Sequence, residues 1–374
     1  MNWRLSSKTI FLLLCFLIVM LVLRELQNSK PDRVLLGDEK VIEVDYLCNH
    51  NVGGEINREI QVYLEFDFFN QKILPSVPEG FKVKRNFRNK LANESCNGNS
   101  NHFILFCNGL NNDQCPVAVE NCLKKTKNLI VVSVSEGILL LSFSPSHFHH
   151  KPKLFSFTKG NELMMEYARR KPEVPFFKYY YKKNWENVKN LHWLPLGYPR
   201  DVGPFFPYEI TPINKRNITC LFVGQIREER RKILEALRKK PICVIAAGMV
   251  FNAEVVRKKE YHDLLLDSKF GICLFGFDPM TFRFHETLSA GGIPLVPKLN
   301  FEDASHQSFL VYPRLIGCKP WIEISDFEKL EEELSPYLKD EKKLLKKQQE
   351  CIECYRKSIA YSTSNFAAAI SKWS

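Results

Sequence analysis

The alternation of apolar and polar positions divides the chain into two stretches of α/β character. In the first, residues 41–47 alternate like a half-buried strand, and residues 102–107 (HFILFC) and 129–133 (LIVVS) are unbroken apolar runs of strand length. Residues 115–127 between those runs have the length of a helix. Residues 61–69 (QVYLEFDFF) are a further strand candidate, although their aromatic density also suits a helix, and the Asn, Gly and Ser cluster at 90–100 marks a surface loop. From Asn217 the pattern becomes regular. A strand at 218–223 ends at Gly224, residues 225–227 turn, and a helix at 228–239 places Ile233, Leu234 and Leu237 on one face. A strand at 242–247 and an amphipathic helix at 253–266 follow. A further βαβ unit has a strand at 270–275, a helix at 281–290 stopped by Gly291 and Gly292, and a strand at 293–296. Residues 321–357 are charged, with Leu330, Leu334, Leu338, Leu344 and Leu345 at helical spacing. Such strand–helix alternation predicts parallel sheets with right-handed crossovers. No internal repeat is evident.

Composition and charge change this picture little. The 374 residues suffice for two domains, and 45% hydrophobic with 25% charged residues is a globular balance. A net charge of +11 suits any anionic ligand. With no RNA-recognition aromatics, zinc-finger spacing or long basic arm, nucleic acid is not an expected partner.

The amino terminus adds a compartment. Residues 9–23 (TIFLLLCFLIVMLVL) form an unbroken apolar run preceded by Arg4 and Lys8. A cleaved signal peptide is the competing reading, but no small-x-small site follows, and a short span matches a thin early-secretory membrane. We read a type II signal anchor, with residues 1–8 as cytoplasmic tail, 9–26 as the span, 27–40 as stem and the remainder lumenal. Cysteine usage agrees. Of 12 cysteines, Cys15 lies in the span, and Cys220, Cys243 and Cys273 sit inside apolar strands as expected free thiols. This leaves Cys48, Cys96, Cys107, Cys115, Cys122, Cys318, Cys351 and Cys354, an even set suited to a disulfide framework. Asn93 and Asn217 head glycosylation triplets usable in a lumenal domain.

Two motifs carry candidate chemistry. The helix after the strand at 270–275 begins Thr281-Phe282-Arg283-Phe284-His285-Glu286. An Arg and a Glu one turn apart can reach one ligand: the Arg suits phosphate oxygens, and the Glu can accept from ribose hydroxyls. The alternatives are an exposed helix carboxylate and an internal Arg–Glu pair. The second motif is the turn at Gly224 with Arg227, where free backbone N–H groups at a helix start could face a diphosphate. Arg230 and Arg231 read as surface helix charges, and Gly291 as first of all a helix C-cap, a role that needs no ligand. Residues 171–203 are dense in Pro, Tyr, Trp and Phe. Their rings could stack on sugars, but packing of the seam between domains is the preferred role. No Asp-x-Asp motif occurs, so no metal or other cofactor is expected, and Arg227 with Arg283 could neutralise a leaving diphosphate.

The stretch Thr281-x-Arg283-x-x-Glu286, continued by Gly291-Gly292-Ile293-Pro294-Leu295-Val296, resembles the signature of exostosin-like glycosyltransferases and of the related ribitol xylosyltransferases. The aromatic segment ending in Pro195-Leu196-Gly197 and the Phe222-x-Gly224 turn followed by Arg227 are similar to that family too. The resemblance covers roughly residues 129–370. It implies α/β architecture with two Rossmann-like domains of GT-B type, an N-terminal acceptor domain (41–205) and a C-terminal nucleotide-sugar domain (206–374). It also implies inverting transfer from a nucleotide sugar, a UDP-sugar by resemblance, to a glycan acceptor in the Golgi membrane. Gly224, Arg227, Thr281, Arg283, Glu286 and Gly291 would bind the donor, and Glu136 is the candidate base. His147, His149 and His150 are a denser alternative that would also suit a metal, but with no acidic partner at ligand spacing they read as loop residues; Asp67 and Asp278 are further base candidates. Two rival readings are a fucosyltransferase-like enzyme using a GDP-sugar and an inactive lumenal protein binding glycan or a partner.

Overall fold

A computed structural model describes residues 40–47, 73, 76, 81–86, 96, 101–107, 114–126, 128–133, 165–179, 182–197, 210–248, 258–276 and 280–373. The apolar run at 9–23, the strand candidate at 61–69, Asn93, Glu136, Asp67, Asp278 and the histidines at 147, 149 and 150 lie outside the described residues. Val41–Ser374 belong to one compact unit.

The first sheet contains β1 (Lys40–Leu47), β2 (Phe81–Asn86), β3 (His102–Cys107), β4 (Asn128–Ser133), β5 (Phe176–Lys178) and β6 (Leu191–Trp193), with α1 (Gln114–Leu123) between β3 and β4. Its order is β2-β1-β3-β4-β5-β6, and the pairs from β1 through β6 are parallel. Phe103, Ile104 and Leu105 are consecutive and all fully buried, as are Ile130, Val131 and Val132. Successive side chains point to opposite faces, so consecutive burial means that both faces are covered. β5 and β6 lie in the aromatic segment and have three residues each, too short for a period to show. Their rings pack inward: Phe177 meets Phe366 at 5.3 Å, and Trp193 meets Tyr312 at 5.8 Å.

The second sheet contains β7 (Ile218–Gln225), β8 (Cys243–Gly248), β9 (Ser268–Ile272), β10 (Ile293–Pro297) and β11 (Ile322–Ile324) in the order β11-β10-β9-β7-β8, all parallel. Its helices are α2 (Glu228–Arg238), α3 (Lys258–Asp267) and α4 (Phe282–Ser289), followed by α5 (Leu330–Leu338) and α6 (Glu341–Ser371). The chain moves outward from β7 to β8, then returns to the other flank of β7 for β9. The order therefore reverses between β7 and β9, which is where doubly wound sheets open a crevice at their carboxyl ends. β9 begins two residues earlier than the apolar run, because Ser268 is already paired with Ile218 of β7.

The 31 residues of α6 span about 46 Å at 1.5 Å per residue and serve both sheets. Leu344, Cys351 and Tyr355 belong to the core around the second sheet. Further on, Ser362 Oγ donates to the Trp193 carbonyl at 3.3 Å, and Trp373 meets His102 of β3 at 5.4 Å. Among the described residues no helix is long and apolar enough to cross a membrane.

The cysteine pairing departs from expectation. Disulfides join Cys96 to Cys122, Cys220 to Cys243 and Cys318 to Cys354, while Cys273 and Cys351 are buried free thiols. Cys220 and Cys243 sit directly opposite each other on β7 and β8 with Cα atoms 4.5 Å apart, inside bridging range. An apolar setting thus did not keep them free. Cys351 leaves the expected framework because its neighbour one turn on, Cys354, takes Cys318.

Candidate functional site

The two motifs stand at the carboxyl ends of β7 and β9. β7 runs through Gly224 to Gln225, and Arg227 follows as the N-cap of α2 in extended conformation (φ −121°, ψ 160°). Arg230 lies one turn into α2. It is 7% exposed, its Nε donates to the Phe275 carbonyl at 2.7 Å, and its Nη2 donates to Leu274 at 3.3 Å. It therefore fastens the start of α2 to the segment leaving β9. The surface role expected for Arg230 is corrected; Arg231 does have one, pairing with Glu228 at 3.0 Å.

Arg283 stands in the first turn of α4 and reaches back under β7. Its guanidinium carbon lies 4.9 Å from the Phe222 ring centroid. A Cβ placed on Gly224 would come within 2.7 Å of Nη2 and 3.1 Å of Nη1. The cation thus rests on bare backbone that only glycine provides, and the two motifs of the sequence meet here. Its Nε is closed off from solvent, with no hydrogen-bond partner among the described residues. Burial works against the charge, but Tyr261 and Glu286 outweigh it and raise the pKa.

Glu286 follows one turn later, 4% exposed. Its Oε2 accepts from Tyr261 Oη of α3 at 2.5 Å. Burial raises the carboxyl pKa, while Arg283 and the Tyr261 hydroxyl oppose the rise. Burial also lifts the Tyr261 phenol well above its ordinary value, so Tyr261 is the proton donor of the pair. The Cys273 thiol nearby is pushed up to about 12 by burial and stays neutral. Thr281 is the N-cap of α4, yet its hydroxyl does not cap the helix; Oγ1 is buried with no partner among the described residues.

Gly224, Thr281, Arg283 and Glu286 are thus brought to one region, with Arg227 three residues after Gly224. Gly291 is not: it sits past the far end of α4, about 15 Å along the helix from Thr281. There it adopts φ +69° against Ile210, a conformation and a fit that favour glycine. That end is anchored by buried polar side chains. Arg216 donates to Ser268 O and Ala290 O at 2.7 Å each and to Thr211 O at 3.2 Å. Gln348 of α6 donates to Gly291 O at 2.9 Å and accepts from Ile213 N at 2.9 Å. At its middle, α4 lies directly on β9, because a Cβ on Gly271 would collide with the Thr287 side chain.

His285 faces the opposite way. It is fully buried between Phe284 (5.4 Å) and Tyr312 (6.5 Å), and burial lowers its pKa to about 3, so it is a neutral core residue. Asn217 is exposed at the start of β7, with its Nδ2 bonded to both carboxylate oxygens of Asp267 at 3.1 Å. Among the described residues no group of three or more His, Cys, Asp or Glu could hold a metal ion.

No family model and no curated protein matches the chain. Among solved structures, it is similar to the T4 phage BGT in complex with its UDP-glucose substrate, at 12% identity, covering 88% of this chain and 98% of that one, with a TM-score of 0.42. An alpha-glucosyltransferase in complex with UDP and a mismatched 13-mer DNA gives 12% identity, 86% and 95% coverage and a TM-score of 0.43. A UDP-N-acetylglucosamine 2-epimerase gives 11% identity, 86% and 94% coverage and a TM-score of 0.42. At these scores the likenesses do not assign a function to this chain.

Proposed function

We propose that the chain is a nucleotide-sugar-dependent glycosyltransferase with two Rossmann-like domains in the GT-B arrangement, using a UDP-sugar as donor. The observation that carries this reading is the meeting of Gly224, Arg283 and Glu286 at the β7/β9 switch point. Arg283, held charged over bare backbone, would face the diphosphate, and Glu286, one turn on, would take a ribose hydroxyl. Thr281 Oγ1, unspent on its own helix, is a further contact for the phosphate end. In an inverting transfer the acceptor hydroxyl attacks the anomeric carbon from the face opposite the diphosphate. Its proton passes to a base, Glu136 in this reading, while the bond to the diphosphate breaks and Arg283 with Arg227 stabilises the released charge. This route needs no metal. The acceptor would be a glycan bound against the first sheet. We place the protein in the Golgi membrane as a type II anchor with a lumenal enzyme; the apolar run at 9–23 and the disulfides found among the described residues, which persist in oxidising compartments, support this.

Calorimetric titration of the purified full chain with UDP and GDP, followed by transfer assays over a panel of nucleotide sugars, tests the reading. Tighter binding of UDP with turnover of a UDP-sugar is expected. Preference for GDP would move the chain to the fucosyltransferase-like reading, and binding without turnover to the inactive one. Glu286→Gln should weaken UDP binding by about 1.5–3 kcal/mol, the range of a charge-assisted hydrogen bond; unchanged affinity would remove the ribose from Glu286.

A further inference from the structure

Nothing in the local pattern around Glu286 explains why this buried carboxylate does not collapse onto the guanidinium one turn before it. The two are the natural i, i+3 partners of α4, yet among the described residues no ion pair within 4 Å joins them. The group that intervenes comes from another helix. Tyr261 of α3 packs its ring among Leu221, Val223, Leu265 and Ala290, and its hydroxyl donates to Glu286 Oε2. Its oxygen also favours the charged form of Arg283. Glu286 Oε1 takes no hydrogen bond among the described residues.

We propose that Tyr261 is a positioning residue: it fixes Oε2 of Glu286, holds the carboxylate away from Arg283, and so leaves Oε1 for a ribose hydroxyl and the guanidinium for the diphosphate. This rests on the nucleotide-sugar reading of the site. A glutamate free to rotate loses rotamer entropy when it meets its ligand, whereas one already held by a rigid aromatic donor does not. A tyrosine on a separate, packed helix is suited to that task, because its ring cannot follow the carboxylate if the latter swings toward Arg283.

The test compares two ligands on the full chain, UDP and 2′,3′-dideoxyuridine diphosphate, by calorimetry. Wild type should prefer UDP. Tyr261→Phe, which removes one oxygen and keeps the ring, should weaken UDP at least about tenfold and leave the dideoxy nucleotide within about twofold of wild type. A structural defect would weaken both alike, so equal loss on the two ligands overturns the proposal, as does a variant that still prefers UDP as strongly as wild type. Binding of the dideoxy nucleotide also reports that the variant is folded. If wild type binds neither nucleotide, the nucleotide-sugar reading falls and this inference with it. If wild type discriminates but Tyr261→Phe does so equally, only the inference falls.

Discussion

Gly224→Ala separates the role of Arg283 from the integrity of the fold. The added Cβ would stand 2.7 Å from Nη2, 3.1 Å from Nη1 and 3.2 Å from Cζ of Arg283, and ordinary contact begins near 3.4 Å. Relief therefore requires the whole guanidinium to lift by roughly 0.5–1 Å, measured against normal van der Waals spacing. The obstructing atoms are the far end of a flexible side chain, so the backbone need not move. Losing a glycine from the unfolded chain returns about 0.4–1 kcal/mol. The melting temperature should stay within a few degrees of wild type. Nucleotide affinity should not, because a charge-assisted hydrogen bond worth about 1.5–3 kcal/mol is misaligned, and binding should fall about 10- to 100-fold. Gly271→Ala is the contrast: its Cβ would lie 2.9 Å from the Cβ of Thr287 in the middle of α4, an atom with no freedom to rotate away. That variant should lose about 1–3 kcal/mol of stability through overpacking. Thermal unfolding and UDP calorimetry on both variants decide the matter. If Gly224→Ala is as stable as wild type and binds UDP equally well, the placement of Arg283 at the diphosphate is wrong.

Two further outcomes follow from burial. His285 is fully buried with its pKa lowered to about 3, against an ordinary value of 6.5. Its contribution is complete above about pH 6.5 and drains as pH falls toward 3, by at most about 1.4 kcal/mol per pH unit, since the unfolded chain binds the proton first. His285→Phe should therefore flatten stability against pH in that window, as read by urea unfolding at pH 7 and pH 5; an unchanged slope would mean that the imidazole is not held neutral. Peptide mapping without reduction should recover Cys220 linked to Cys243 and Cys318 linked to Cys354, with Cys273 and Cys351 alkylated only after unfolding. A linked Cys351 would refute the pairing.

The second sheet was legible because its signals are local. Glycine stops, apolar runs of strand length and helical spacing located β7, α2, α4 and β10 within a few residues, and the Arg283–Glu286 spacing survived into the fold. What sequence could not show is what depends on pairing between distant segments. Cys220 and Cys243 meet only through the register of β7 and β8, and β5 and β6 are strands because β4 recruits them, at three residues each. A third class was present in the sequence but not recognised. Arg230 stands four residues before Leu234 and seven before Leu237, on the buried face of α2, and Tyr261 stands four before Leu265 on that of α3. Gln348 likewise lies between Leu344 and Cys351 on the buried face of α6. Each is a polar side chain at a position that helical period assigns to the core, where it must find a partner or cost the fold more than it contributes. Arg230 finds the segment leaving β9, Tyr261 finds Glu286, and Gln348 finds the far end of α4. Each of the three has a partner on the chain running from the end of β9 to the glycine just past α4. In the proposed reading the signature residues of α4 contact the nucleotide, and these out-of-place polar residues on neighbouring helices hold α4 where a ligand could meet it.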